Sequence, residues 1–366
     1  MKNDKKSQRQ CIYCHNFCKF SCAPYIATKN QKIIQTQKNY LVYMKENKKI
    51  KTGTDLGEAV YLCNDCRRCE TYCIFENKKV INNNRYARNL VFNEKSAPDK
   101  IYEIYDNFLK YGNFLGRKKE IRNIEHFDTN RKYDYFIYFG DYVNLLVPGI
   151  RESFIKILKK LNKNFAYCDD EVSDGVLALD LGMEELACKL MKNNFNKISR
   201  YRFDKLICLD PYSCYGFKND YTEYGYNFDS EIIHYTEFLG ENIGGIKIKK
   251  KDEHIKYFDP CMLSRGLKIN ESPREVLRFV VTSNDFDLIK NREESECCGG
   301  NLSMIFPDVS YAISSGFLNE LQSLDDKTEV IITACPLCLN NLSGAQPPDS
   351  RFKIYDMAEY ISINMD

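Results

Sequence analysis

The chain has 366 residues, 28% of them charged, and a mean hydropathy of −0.49, which fits two or three domains at roughly 150 residues each. Its 53 basic and 51 acidic residues leave a formal charge of +2, a balance that gives no electrostatic case for nucleic acid as a partner. Nowhere do 18 apolar residues follow one another, so no transmembrane helix is expected. No apolar stretch precedes Cys11, so no secretory leader is expected either. The expected location is the cytoplasm, with peripheral attachment to the inner face of a membrane only through a partner. Disulfides are rare there, yet the chain has 17 cysteines and no tryptophan. An odd number of clustered cytosolic cysteines points to metal.

The basic opening (Lys2, Lys5, Lys6, Arg9) reads as a solvated tail. Two cysteine runs follow. Cys63, Cys66, Cys69 and Cys73 have the bacterial ferredoxin spacing for a [4Fe–4S] cluster. Three cysteines on one tight loop reach three corners of a cube, and the fourth points to the other cluster. Thiolates are the soft anionic ligands such clusters select. Cys11, Cys14, Cys18 and Cys22 form a looser version, with one extra residue before Cys18 and Pro24 one position late. The expected ligation is crossed: Cys11, Cys14 and Cys18 with Cys73, and Cys63, Cys66 and Cys69 with Cys22. A zinc site built from Cys11/Cys14 and Cys63/Cys66 is the alternative, but it leaves four cysteines unexplained. A radical-SAM pattern fails, because Ser21 or Tyr25 stands where its third cysteine belongs. His15, inside the first run, is either an exposed loop residue or a hydrogen-bonding neighbour of a cluster. Between the runs, Gln31 to Lys45 reads as helical, a longer insert than a compact ferredoxin has.

Residues 96–132 contain no cysteine. Ile101, Ile104, Tyr105, Phe108 and Leu109 fall at helical spacing, which predicts a helix and connector. Beyond it the chain repeats at an offset of about 120 to 124 residues. Tyr133 to Asp141 matches Ile255 to Cys261, setting Asp141 against Cys261. Ser173-Asp174-Gly175 matches Cys297-Cys298-Gly299, and the segment from Asp210 to Cys214 matches Ala334 to Cys338. In the second copy Ile255–Phe258, Phe286–Ile289 and Val330–Thr333 read as strands. Pro273–Val281 and Val309–Leu321 read as helices. Alternation of this kind implies parallel sheets with helices on their faces and ligands at strand C-termini. Lys247 to Lys251 reads as an exposed loop or strand edge. Cys168, Cys188 and Cys208 read as core residues. His126, His234 and His254 have no partner pattern, and no GxGxxG or P-loop motif marks a nucleotide or flavin site.

Cys261, the Cys297-Cys298-Gly299 triplet and the Cys335-Pro336-x-Cys338 turn, with Asp259-Pro260 and Arg265, resemble the cysteine-rich CCG domain. Joined to the ferredoxin-type runs, the chain is similar to the Fe–S oxidoreductase family over residues 11 to about 90 and 133 to 366. That family includes the B and D subunits of heterodisulfide reductase and the iron–sulfur subunits of glycolate oxidase and anaerobic glycerol-3-phosphate dehydrogenase. The resemblance implies a noncubane [4Fe–4S] cluster held by Cys261, Cys297, Cys298, Cys335 and Cys338, in addition to two [4Fe–4S] clusters on the N-terminal cysteines. It implies an α-helical two-cluster ferredoxin domain (1–95), a helical connector (96–132), a degenerate CCG repeat (133–250) that has lost its ligands except Cys214, and an intact CCG repeat (251–366). The function it implies is oxidoreduction of a small disulfide or thiol at the CCG cluster, with electrons supplied by a flavin-containing or other redox partner. The alternatives are an electron-transfer subunit of a flavin-dependent dehydrogenase, or a zinc-bound interaction module without redox work.

Overall fold

The computed structural model describes residues 1, 3–75, 80–117, 126–168, 170–347 and 349–366; part of the expected connector, 118–125, lies outside them. The N-terminal third is helical. The basic opening is a helix, Lys5–Ile12, and not a tail: the Asp4 carboxylate caps it by accepting from the Ser7 amide. The helix packs against Gln35–Glu46. The insert between the two cysteine runs is a short 3-10 turn, Gln31–Ile33, followed by that helix. Ile34 separates them in extended geometry, so the expected helix begins later. Helices Thr54–Tyr61, Val80–Asn93 and Asp99–Tyr111 complete this part. In the last of these Ile101, Ile104 and Phe108 face inward, Leu109 is exposed, and Gly112 ends the helix in the left-handed region at φ 70°.

Two small parallel sheets follow. The first contains β1 (Lys132–Tyr138), β2 (Phe165–Tyr167), β3 (Arg202–Cys208) and β4 (Glu231–His234), in the order β2-β1-β3-β4. The second contains β5 (Ile255–Phe258), β6 (Val330–Thr333) and β7 (Lys353–Asp356), in the order β5-β6-β7. Parallel pairing requires crossovers, and helices such as Gly149–Lys160, Glu184–Ile198 and Pro307–Leu324 supply them. The expected strand at Phe286–Ile289 is reduced to one bridge, Tyr257 to Asp287, beside β5. Ile289 is 86% exposed, and Asp287 accepts from Arg274, so charge occupies what a buried strand would need to be apolar. Lys247–Lys251 lies at sheet edges, with bridges from Ile248 to Met365 and from Lys251 to Val281.

The two sheets share one apolar core. Ile137, Phe139, Ile207 and Ile233 of the first half meet Tyr257, Val330, Ile332 and Ile361 of the second. The register fixes the correspondence between the halves. Tyr138 pairs with Cys208 and Cys208 with His234, as Phe258 pairs with Thr333 and Thr333 with Asp356. His234 and Asp356 each cap the next helix in a capping box with a glutamate, Glu237 or Glu359.

Buried polar contacts fasten the helical third to the first sheet. Arg85 is buried. It forms ion pairs with Asp180 and Asp220, both at 2.7 Å. The Tyr61 hydroxyl donates to the Leu181 carbonyl at 2.7 Å. Removing one member of a buried ion cluster leaves uncompensated charge, at a cost of about 3–5 kcal/mol. Arg85→Ala is therefore expected to lower stability by about that amount in urea unfolding. Adding Asp180→Asn and Asp220→Asn should restore most of the loss, which a purely local packing defect would not allow.

Candidate metal centres

No disulfide joins any of the seventeen cysteines. The structure gathers thirteen of them into three neighbourhoods around the junction of the helical third with the second sheet.

The first is built at the end of helix Lys5–Ile12. Cys11 is in its last turn, Cys14 follows it, Cys18 is in the 3-10 turn Phe17–Ser21, and Cys73 follows the short helix Arg68–Thr71. These four border one cavity with Cys69, Phe17, Tyr72 and Ile74. The extra residue before Cys18 is taken up where Asn16 adopts φ 69°, and its amide points to the Cys14 sulfur at 3.5 Å. Burial, then the charges of Cys11, Cys14 and Cys73, push the Cys18 thiol up to about 11.

The second neighbourhood contains Cys22, Cys63, Cys66 and Cys69. Cys22 caps helix Ala23–Thr28, whose first turn holds Pro24. The Cys63–Cys69 loop turns through Asp65 (φ 48°) and Arg67 (φ 59°). Burial and then the Cys63 charge push Cys22 up to about 12, against the pull of Lys38. Burial, Glu70, Cys63 and Cys66 likewise raise Cys69. The Asn84 amide donates to the Cys63 sulfur at 3.4 Å and to Asp65 at 2.7 Å.

The third neighbourhood contains the other five cysteines, each at most 5% exposed. Cys261 opens the π-turn after β5. Cys335 caps helix Pro336–Gly344 after β6, and Cys338 lies in that helix's first turn. Cys297 and Cys298 precede Gly299, which sits at φ 80°. A Cβ on Gly299 would stand 2.9 Å from the Ser310 carbonyl oxygen, so only glycine fits this turn without strain. The Cys338 thiol donates to Cys298 at 3.2 Å, and the Gly299 amide donates to Cys297 at 3.4 Å. The Tyr212 hydroxyl is 3.8 Å from the Cys261 sulfur and accepts from Asn301 at 2.8 Å.

The second and third neighbourhoods touch. Cys66 packs against the apolar cluster that contains Cys297, and its interaction with Cys297, with Arg265 beside it, pulls Cys66 down to about 6 while Cys297 rises. Arg265 reaches from the π-turn after Cys261 to the Cys66 carbonyl, 2.6 Å from its Nε. Arg68 pairs with Glu296 across the same junction.

The donor chemistry fits iron–sulfur groups. The sets are all sulfur, the third is enclosed while the eight N-terminal cysteines are half-buried, and amide donors point at Cys14, Cys63 and Cys297. Hydrogen bonds to sulfur are among the levers that tune such groups. Among the described residues no three Cys, His, Asp or Glu side chains converge on one ion-sized point; the thiols are grouped as neighbourhoods and do not form a closed tetrahedron.

The first sheet carries a matching set made of oxygen. Gly175, at φ 79°, takes the role of Gly299, so Ser173 and Asp174 stand for Cys297 and Cys298. Asp141 follows β1 as Cys261 follows β5. The sequence match around Asp210 is corrected by one residue. Asp210 caps helix Pro211–Tyr215 as Cys335 caps Pro336–Gly344, which sets Ser213, and not Cys214, against Cys338. Cys214 is instead a fully buried neighbour of Cys208. The five oxygen side chains line one cavity with Tyr142 and Tyr212. Ser213 Oγ lies 2.6 Å from Asp174 and 3.0 Å from Asp210. Burial raises Asp174 to about 7 and Asp210 to about 6. Cys168 and Cys208 are buried and Cys188 is half-buried. His15 and His254 are exposed, whereas His234 is enclosed.

Asn84, Lys38, Arg88 and Tyr212 were not singled out by the sequence. Only the fold brings them to the thiols, and no local spacing signals them.

Residues 255–343 match the family described as a cysteine-rich (CCG) domain. Among curated proteins, the chain is 26% identical to the "Probable iron-sulfur-binding oxidoreductase FadF" of Bacillus subtilis, over 83% of this chain and 46% of that protein. It is 25% identical to the "EtfAB:quinone oxidoreductase" of Syntrophomonas wolfei, with the same two coverages. It is 28% identical to one of the subunits of the dihydromethanophenazine:CoB–CoM heterodisulfide reductase of Methanosarcina acetivorans, over 51% of this chain and 48% of that protein. The chain thus spans about half the length of these relatives, which are iron–sulfur proteins and oxidoreductases by name.

The crossed grouping predicts a specific additivity. Cys73→Ser and Cys11→Ser should each remove about four irons, and the double variant no more than that; Cys73→Ser with Cys63→Ser should remove about eight. Iron counting with electron paramagnetic resonance on anaerobically purified chains checks this. Uncrossed ligation would instead pair Cys73 with Cys63.

Proposed function

We propose that the chain is an iron–sulfur oxidoreductase subunit. In this reading it moves electrons from two [4Fe–4S] groups, on Cys11/Cys14/Cys18/Cys73 and Cys22/Cys63/Cys66/Cys69, to a third, noncubane group on Cys261, Cys297, Cys298, Cys335 and Cys338. The observation that carries this reading is the packing of Cys66 against the apolar cluster that contains Cys297. It makes the ferredoxin-type loop and the CCG loop neighbours, and Cys18 and Cys69 in turn border one cavity. The iron–sulfur groups would supply one-electron storage at each site. The protein's own contribution is to bury the sulfurs, aim amides at them and keep the three neighbourhoods in series.

At the end of the series the reading is exchange with a small disulfide or thiol, as in heterodisulfide reductases. Breaking a disulfide takes two electrons and two protons per bond. Tyr212 Oη, 3.8 Å from the Cys261 sulfur, is a proton-bearing atom at that end. A second reading has its own support. The relatives aligned over 83% of the chain are the FadF-type and EtfAB:quinone proteins, and the five CCG sulfurs are almost wholly enclosed. In that reading the chain passes electrons between a flavin-dependent partner and a quinone-side acceptor, and no substrate meets the CCG group. Both readings use a cytoplasmic-side redox partner. No helix among the described residues is long and apolar enough to cross a membrane.

Anaerobically purified protein is expected to contain about twelve irons and as much acid-labile sulfide, from three four-iron groups. About eight irons and one zinc would leave a ferredoxin joined to a structural site and would sink the first reading. With the irons present, turnover of small disulfides by dye-reduced protein supports the first reading. Oxidation by the chain of a reduced flavoprotein, without disulfide turnover, supports the second.

A further inference from the structure

Arg265 is a buried cation whose charge no carboxylate answers. Its side chain is about 3% exposed. Nε donates to the Cys66 carbonyl at 2.6 Å, and Nη1 donates to the Glu293 carbonyl at 2.9 Å, the Ser295 carbonyl at 2.9 Å and Ser295 Oγ at 3.0 Å. Nη2 is buried without a hydrogen-bond partner. Every partner is neutral. Among the described residues no Asp or Glu lies within ion-pair distance of it, whereas Arg68, Arg85, Arg88 and Arg274 are each paired with a carboxylate. An isolated buried charge is costly unless something of opposite sign stands near it. The charges that act on Arg265 are the sulfurs of Cys66 from the ferredoxin-type loop and of Cys261 and Cys297 from the CCG loops, and the guanidinium of Arg68, which is itself paired with Glu296.

We propose that Arg265 sets the reduction potential of the iron–sulfur group held by Cys261, Cys297, Cys298, Cys335 and Cys338, by placing unneutralised positive charge between that group and the Cys66 loop. The proposal rests on the iron–sulfur reading above. Reduction adds one negative charge to a group that is already anionic, and a fixed cation in a low-dielectric site stabilises that added charge. The guanidinium keeps this charge at any working pH. It favours electron residence at the groups that meet around Cys66 and Cys297 over the Cys11/Cys14/Cys18/Cys73 group. Its hydrogen bonds to three carbonyls from two distant loops hold it there, so Arg265 is a positioning and tuning residue.

The test is a redox titration followed by electron paramagnetic resonance on the full-length chain and on Arg265→Gln, with iron counted in each. The signal lost in Cys335→Ser identifies the CCG group. At the wild-type midpoint potential, Arg265→Gln should lower the reduced-to-oxidised ratio of that group at least ten-fold, equivalent to about 59 mV for one electron. The Cys11/Cys14/Cys18/Cys73 group should stay unchanged. Arg265→Lys keeps the charge but loses the fork, and should hold the ratio within about three-fold, or about half that shift on the same scale. If Arg265→Gln fails to assemble, Ser295→Asp substitutes for it. That change answers the charge while leaving Arg265 and its carbonyl contacts in place, and it should lower the ratio in the same direction. A full iron count with no shift in Arg265→Gln or Ser295→Asp overturns the proposal and leaves the iron–sulfur reading standing. A wild-type chain without iron at the CCG cysteines overturns both.

Discussion

Thiolates buried together repel one another and lose their hydration, so a protein that packs thirteen sulfurs at one junction must bring positive charge and N–H donors to them. That constraint organises this molecule more than any apolar contact does. Burial works against the charge on Lys38, yet Cys63, Cys22 and Asp65 more than offset it, and the side chain stays charged inside the helical third. Arg88 holds Asp65 and the carbonyls of Val60, Cys63 and Asp180. Arg265 does the same for the Cys66 loop from the other side. Each of these cations joins segments far apart in sequence, so the interactions that make the sulfurs tolerable also dock the helical third on both sheets.

The sulfur sites were largely legible in the sequence because their chemistry is local. A multi-iron group needs several thiolates on one short loop, and that need appears as fixed spacing. Strands β5 and β6 were legible for a similar reason: each is a short, largely apolar run that ends just before a cysteine. What failed did so where longer-range forces decide. Lys5, Lys6 and Arg9 look like a solvated tail until Asp4 caps the turn and Ser7 and Gln8 find cover against the helix Gln35–Glu46. Phe286 to Ile289 looks like a strand until Asp287 is claimed by Arg274. The slip at Cys214 is more instructive. Matching cysteine to cysteine preserved an identity, but strand register and the prolines at Pro211 and Pro336 fix the position, and they favour Ser213. Shared residue type is a weaker guide to equivalence than shared backbone role.

Corrected in this way, the first half shows what a duplicated site becomes when its ligands change class. The five sulfur positions carry Asp141, Ser173, Asp174, Asp210 and Ser213, every one an oxygen. Hard oxygen donors are not what iron–sulfur groups select. The left-handed glycine and the helix caps survive, because the backbone turns they stabilise still shape the fold. Ser213 has one hydroxyl proton and two carboxylate neighbours at 2.6 and 3.0 Å. Both contacts are favourable only when one of the carboxyls holds a proton, in agreement with the raised values of Asp174 and Asp210.

This asymmetry bears on how the two functional readings differ. With two sulfur-rich halves, a disulfide could be gripped between two metal groups facing each other. Here one face of the junction is sulfur and the other is carboxyl, hydroxyl and phenol, with Tyr212 belonging to both: it lines the oxygen cavity and its hydroxyl meets Cys261. Any bond broken at the sulfur face would therefore be broken by electrons delivered one at a time through the Cys66–Cys297 contact, with protons arriving from the opposite side. A chain that only relays electrons has no use for that proton-bearing face. The pairing of a sulfur-lined site with a carboxyl-rich oxygen site is thus the feature of this fold that favours the bond-breaking reading, while the enclosure of the five sulfurs favours the relay reading.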